Sequence, residues 1–134
     1  MRVVLDTKVL VAAFVTEGIC AKLLTRARRR QFLLFTCPLI LREFEDVLTR
    51  KFSATRNEAR DAREILSGAV QEVIHPTHPV IGLCRDPDDD QILACALAAE
   101  ADGLISGDSD LLELKEFGRT KILSPRDFEL LLAD

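Results

Sequence analysis

The sequence contains no long apolar run and no leader-like start. No stretch of its 134 residues approaches the roughly 20 consecutive apolar residues that a membrane-spanning helix needs. The amino-terminal segment reaches Asp6 too early for the apolar part of a signal peptide. We therefore expect a cytoplasmic protein with no membrane segment. The length, with 48% hydrophobic and 30% charged residues, predicts a single globular domain over residues 1–134.

Motifs for zinc and for nucleotide cofactors are also missing. The four cysteines are Cys20, Cys37, Cys84 and Cys95. They include no C-x-x-C pair and have no histidine at zinc-finger spacing, so we expect reduced thiols in the core. The two histidines, His75 and His78, stand in a proline-flanked stretch that favours a loop. The sequence has no G-x-x-x-x-G-K-S/T loop and no G-x-G-x-x-G motif, so nothing indicates a nucleotide cofactor.

The sequence has no excess of positive charge, because 22 Asp and Glu residues outnumber 18 Lys and Arg residues and the net charge is −4. Proteins that bind nucleic acid usually show a basic surface, so such a role would depend here on a local patch or a partner. The basic residues that cluster are Arg26, Arg28, Arg29 and Arg30, followed by Arg42, Arg50 and Lys51. They are open to two interpretations, a solvated helix face or a phosphate-binding patch.

Short apolar segments alternate with helical patterns along the chain, without an internal repeat or a linker. Strands are predicted at 3–5, 32–35, 72–74, 103–106 and 121–123. Helices are predicted near 9–14 and at 19–30, 38–48, 55–70, 90–98 and 108–114, with a last one after Ser124. Pro38 suits a helix start, and Thr55 with Glu58 forms a capping box. The alternation predicts an α/β fold of three layers, α/β/α, with a five-stranded parallel sheet.

Three acids stand where ligands bind in such sheets, beyond the carboxyl ends of the strands. Asp6 directly follows the first predicted strand, and Asp108 follows the fourth after Ser106 and Gly107. Asp90 opens the helix that leads into the fourth strand. Each of the three has a second explanation, because aspartate is also a preferred helix cap.

Glu43 has no capping explanation, because it lies in the middle of a predicted helix. Its spacing from Ile40 and Val47 places it on the apolar side of that helix. A carboxylate there is unfavourable unless it is paired or bound to a metal. The alternative is a glutamate at the edge of the apolar face that bonds to an arginine or reaches solvent.

Four carboxylates held close together would raise one another's pKa values unless a cation neutralised them. Ligands that are all oxygen atoms suit Mg²⁺ or Mn²⁺, which can lower the pKa of a water that attacks a phosphodiester. Asp110 is a fifth acid, interpreted either as a further metal ligand or as a favourable charge in a first helical turn. We expect three more acids, Asp86, Asp88 and Asp89, to be loop and cap residues.

The order and spacing of four motifs resemble those of the PIN domain family. They are V-V-L-D-T at 3–7, L-R-E-F at 41–44, D-P-D-D-D-Q-I-L at 86–93 and S-G-D-S-D-L-L at 106–112. The likeness extends to I-L-S-P at 122–125, and it is greatest to the VapC-like toxin components of toxin–antitoxin systems.

The resemblance implies a five-stranded parallel sheet and an endoribonuclease that uses Mg²⁺ or Mn²⁺ to hydrolyse RNA. It also implies a homodimer and inhibition by a cognate antitoxin protein. The family's acidic quartet carries over onto Asp6, Glu43, Asp90 and Asp108, often joined by Asp110. The hydroxyl groups of Thr7 and Ser106 match family positions that support the site by hydrogen bonds.

Lys8 departs from the family, which usually has asparagine at this position. Its ammonium group has three open interpretations: it points to solvent, it binds a substrate phosphate, or it pairs with Asp6 and competes with the metal. The first two are compatible with an active ribonuclease. The third leads to an alternative function, a catalytically degenerate PIN-like module that binds protein or RNA. A phosphorelay receiver-like domain fits poorly, because the segments after the second and fourth strands lack the expected aspartate and lysine.

Overall fold

The computed structural model describes residues 1–133 as helices that alternate with short strands. The strands are β1 (Arg2–Leu5), β2 (Leu33–Thr36), β3 (Val70–Val73), β4 (Gly103–Ile105), β5 (Glu116–Phe117) and β6 (Thr120–Leu123). The helices are α1 (Thr7–Val15), α2 (Ile19–Arg28), α3 (Pro38–Lys51), α4 (Arg56–Ala69), α5 (Pro87–Ala98), α6 (Ser109–Leu114) and α7 (Pro125–Leu132). None of these described helices is long and apolar enough to cross a bilayer.

The strands form one sheet in the order β3-β2-β1-β4-β6-β5. The α/β prediction is confirmed, because the sheet is mostly parallel and flanked by helices. The predicted strand number was wrong, since the described sheet has six strands rather than five. The additional strand, β5, pairs antiparallel with β6 across a turn in which Gly118 has a φ of 59°. A strand of two residues is too short to show the alternation of side chains that predicts a strand.

Two element boundaries differ from the predictions in ways that affect the site. Helix α4 ends at Ala69, and β3 begins at once at Val70 rather than at residue 72. Helix α5 begins at Pro87 rather than at Asp90. Proline is favoured in a first helical turn, and the side chain of Asp86 caps the helix by accepting the Asp88 N–H at 2.9 Å.

The core lies on both faces of the central strands, as expected for parallel strands covered by helices. Val4, Leu5, Leu104 and Ile105 are fully buried. The described cysteines are all free thiols, and Cys37 and Cys95 are the buried ones. On one side of the sheet, the rings of Phe14 and Phe44 meet edge to face, with centroids 5.2 Å apart. Because Phe14 lies in the last turn of α1, this contact joins the carboxyl-terminal end of α1 to α3.

Phe44→Ala is expected to lower the free energy of unfolding by about 3–5 kcal/mol, because it leaves a cavity between α1 and α3. Phe52→Ala is the matched control, since Phe52 is half exposed at the end of α3 and its truncation should change stability by less than about 1 kcal/mol. Urea unfolding of both variants measures the difference. Equal losses for the two variants would contradict this account of the packing.

Candidate active site

The carboxyl ends of β1 and β4 bring the first set of site residues together. Because the two strands pair in parallel with Leu5 opposite Ile105, the residues that follow them are neighbours. The Ser106 hydroxyl, which is fully buried, donates a hydrogen bond to Oδ2 of Asp6. The same Ser106 oxygen accepts the Asp108 N–H at 3.0 Å. Asp6, Ser106 and Asp108 therefore form one hydrogen-bonded unit at the edge of the sheet.

Helix α3 brings Glu43 to the same edge. The Thr7 hydroxyl, in the first turn of α1, donates a hydrogen bond of 3.0 Å to Oε1 of Glu43. Asp6 itself caps α1, because its Oδ1 accepts the Val9 N–H at 3.2 Å. The structure therefore brings together Asp6, Glu43 and Asp108, and the hydroxyls of Thr7 and Ser106 do hydrogen-bond to site carboxylates.

These side chains line a cleft with a volume of about 110 Å³. The residues that line it are Asp6, Thr7, Lys8, Glu43, Asp86, Asp88, Asp89, Ile92 and Asp108. Six of these nine carry a carboxylate, and Lys8 is the one cation among them. We call this hollow the acidic cleft.

Asp90, which the sequence predicts as a member of the acidic group, does not line the acidic cleft. Its carboxylate turns to the preceding loop and accepts the N–H groups of Gly82 at 3.0 Å and Cys84 at 2.8 Å. Burial raises the pKa of Asp90, but these hydrogen bonds outweigh it and hold the pKa below its usual range. The buried acid of α5 that lines the acidic cleft is Asp89.

The side chains of Asp89 and Asp90 point in different directions because the two residues are consecutive in α5. Successive residues of a helix point about 100° apart, so Asp89 and Asp90 cannot face the same way. The start of α5 at Pro87, three residues earlier than predicted, sets which of the two faces the sheet edge. Asp86, predicted to be only a cap, both caps α5 and lines the acidic cleft.

Three carboxylates of the acidic cleft have raised pKa values. Burial, and next the hydrogen bond shared with Asp88, raise the pKa of Glu43 to about 7. Burial and the charges of Asp108 and Asp86 raise the pKa of Asp89 to about 6. Burial also raises the pKa of Asp6, although the hydrogen bond from Ser106 offsets part of that rise. Such a group has negative charge that a cation would relieve.

Lys8 is exposed and forms no ion pair with Asp6 among residues 1–133. Its charge is nevertheless near enough to lower the pKa of Asp6 slightly against the larger effect of burial. Asp110 does not line the acidic cleft. It is half-buried at the start of α6, and its N–H donates to Oδ1 of Asp108 at 2.8 Å.

The donors of the acidic cleft suit a hard divalent cation, because all of them are oxygen atoms. Within the described residues, however, no three His, Cys, Asp or Glu side chains are already arranged to hold a metal ion. The chemistry of the donors therefore fits Mg²⁺ or Mn²⁺, and their side chains would have to close around the ion.

Asp89 and Asp90 are expected to affect stability in opposite directions when metal is removed with a chelator. Asp90→Ala should lower the Tm by several degrees, because the N–H groups of Gly82 and Cys84 lose their acceptor. Asp89→Asn should raise the Tm at pH 7.5, because it removes a charge that the fold disfavours. Thermal unfolding followed by circular dichroism measures both shifts.

The gain from Asp89→Asn should depend on pH. The folded pKa of Asp89, about 6, lies above the unfolded value, so protonation stabilises the wild type at low pH. That stability is lost as the pH rises from about 4 through about 6. The gain in Tm from Asp89→Asn should therefore develop between about pH 4 and about pH 6. A gain of equal size at pH 3.5 and pH 7.5 would contradict the raised pKa of Asp89.

The chain matches a known protein family. The profile of the PIN domain family matches residues 2–110, which include every residue that lines the acidic cleft. A comparison with curated proteins gives no significant match. PIN domains are generally nucleases and typically use divalent metals. Because the match covers most of the chain, this protein belongs to the PIN domain family.

Proposed function

We propose that the chain is an endoribonuclease that requires Mg²⁺ or Mn²⁺ and acts as the toxin of a toxin–antitoxin pair. The observation that carries the proposal is the convergence of six carboxylates on one cleft at the carboxyl edge of the sheet. Structural acids are seldom gathered in this way, since each one raises the pKa of its neighbours. Nuclease activity is general in the family to which the chain belongs.

The residues proposed to hold the metal are Asp6, Glu43, Asp89 and Asp108, with Asp89 in place of Asp90. When bound, a divalent cation lowers the pKa of water and neutralises charge that develops on a phosphodiester. The protein orients the donors, because Ser106 holds Asp6 and Thr7 holds Glu43. Each Asp6 oxygen has one protein partner and keeps a lone pair for another ligand.

The substrate and the partners are proposed from the sequence motifs, whereas the metal is proposed from the acidic cleft. RNA as the substrate, the toxin role, a homodimer and an antitoxin partner rest on the likeness of the four motifs to VapC-like toxins. The metal rests on the donor chemistry and the raised pKa values of the acidic cleft. A cytoplasmic location would place the protein with its RNA substrate.

A degenerate PIN-like binding module is the second candidate function. Two observations favour it: Lys8 lines the acidic cleft, and no metal-binding group is preformed among residues 1–133. In this case the acidic cleft would bind without cleaving, and the ammonium of Lys8 would take the place of the cation. The exposure of Lys8 and the absence of a described ion pair with Asp6 favour the enzyme.

Cleavage of single-stranded RNA tests the two candidates together. The purified chain should cleave RNA with Mn²⁺ or Mg²⁺, and a chelator should abolish cleavage. Asp6→Asn should reduce the rate by about 100-fold or more, because it removes a charged ligand. Asp61→Asn is the matched control, since Asp61 is exposed on α4 and should leave the rate unchanged.

Lys8→Asn separates the enzyme from the degenerate module. The enzyme is supported if the wild type cleaves RNA and Lys8→Asn leaves the cleavage rate unchanged or reduces it. An inactive wild type that gains activity and Mn²⁺ affinity on the substitution supports the degenerate module. Cleavage that persists both in chelator and in Asp6→Asn would contradict the proposed metal-dependent function.

A further inference from the structure

An RNA substrate meets an electrostatic obstacle at the acidic cleft. The lining carries six carboxylates and one cation, and the whole chain has a net charge of −4. A metal can offset charge at the scissile phosphate, but the flanking phosphates of an RNA strand also need positive partners. The surface next to the acidic cleft therefore decides whether RNA can bind.

A second hollow, with a volume of about 460 Å³, opens directly beside the acidic cleft. The residues common to both linings are Thr7, Lys8, Glu43 and Asp88, so the two hollows are continuous. The second hollow adds Arg42 and Arg50, which stand two turns apart on α3, and Asp46 between them. We call Lys8, Arg42 and Arg50 the basic strip.

The charges of the basic strip are available to a ligand. Lys8 and Arg42 are exposed, and neither forms an ion pair among residues 1–133. Arg50 lies 3.7 Å from Asp46, with 78% and 62% of the two side chains exposed. Such a pair contributes little, so the Arg50 guanidinium can exchange its partner for a phosphate.

A third hollow continues from the basic strip, with a volume of about 460 Å³. It shares Leu39 and Arg42 with the second hollow and lies between α3, α5 and the segment 75–80. We call it the side groove. Its lining includes the exposed rings of His75 and His78 and the amide of Gln91, with proline and valine side chains between them.

The side groove has the chemistry that recognises an unpaired base. Imidazole rings offer flat surfaces for stacking, and an amide such as Gln91 has both a donor and an acceptor for a base edge. A base in a duplex is stacked and paired, so it could enter such a groove only after leaving the helix.

The other basic cluster does not offer a comparable path. Arg26 is held by Glu129 at 2.7 Å, and Arg30 donates to the Ala69 carbonyl at 3.0 Å. Arg26 lies in the last turn of α2 and Arg30 just after it, before β2 begins, and so at the opposite edge of the sheet from the acidic cleft.

We propose that single-stranded RNA runs from the acidic cleft along the basic strip and places one base in the side groove. The phosphates contact Lys8, Arg42 and Arg50, and the base lies against His75, His78 and Gln91. This inference rests on the proposed ribonuclease function and adds the path of the substrate. It also gives Lys8, which departs from the family pattern, a role in holding phosphate.

Fluorescence anisotropy of a labelled single-stranded RNA, with chelator present to prevent cleavage, tests the path. The double variant Arg42→Ala/Arg50→Ala should bind about tenfold or more weakly than the wild type. The slope of log K against log salt should become shallower by about 1.4, since each phosphate contact on a single strand contributes about 0.7. Thermal unfolding checks that the variants are folded.

Arg28→Ala/Arg29→Ala is the matched control, because it removes the same charge from exposed positions at the far edge of the sheet. It should bind RNA within about twofold of the wild type, whereas equal weakening of both double variants would overturn the path. An unchanged affinity of Arg42→Ala/Arg50→Ala, or no RNA binding by the wild type, would also overturn it.

Competition with unlabelled RNA tests the side groove. A single strand should compete at least about tenfold better than a duplex of the same sequence, and His78→Ala/Gln91→Ala should reduce this preference. Equal competition by the two forms would overturn the insertion of a base.

Cleavage measured in parallel separates the inference from the proposed function. Active enzyme whose RNA affinity does not depend on Arg42 and Arg50 would overturn only the path. Binding that depends on them without any cleavage would support the path and contradict the ribonuclease.

Discussion

The parallel pairing of β1 with β4 is the constraint on which the rest of this structure depends. It sets Leu5 opposite Ile105, so that Asp6 and Ser106 leave the sheet side by side. The Ser106 hydroxyl then bonds to Asp6 and to the Asp108 N–H, and Thr7 reaches across to Glu43 on α3. A shift of one residue in this register would turn Asp6 and Ser106 to opposite faces and separate the acids.

The packed core holds together charges that repel one another. Val4, Leu5, Leu104 and Ile105 are fully buried, and the Phe14–Phe44 contact fixes α1 against α3. The acids that these elements bring together respond with raised pKa values, to about 7 for Glu43 and about 6 for Asp89. Repulsion among these carboxylates lowers the stability of the metal-free protein, and a bound cation would relieve it. Functional sites typically carry such a loss of stability.

The sequence was informative where the predicted topology places a residue, even for aspartates that also cap a helix. Asp6 and Asp108 follow predicted strands, and Glu43 lies on the apolar side of a helix, so their meeting could be predicted from topology. The choice between Asp89 and Asp90 could not, because three successive aspartates differ only in helical phase, which depends on the start of α5 at Pro87. Phosphate binding was an open interpretation of Lys8, Arg42 and Arg50, but their meeting could not be predicted, since Lys8 and Arg42 line one hollow only through the packing of α1 on α3.

The acidic cleft is proposed to hold a divalent metal through Asp6, Glu43, Asp89 and Asp108. Anomalous scattering from crystals of the full chain soaked in Mn²⁺ tests it most directly. We expect a manganese peak within coordination distance of oxygen atoms from at least three of these residues, with Asp90 still bonded to the N–H groups of Gly82 and Cys84. The absence of a peak in the acidic cleft, or a peak coordinated by Asp90 in place of Asp89, would contradict the account.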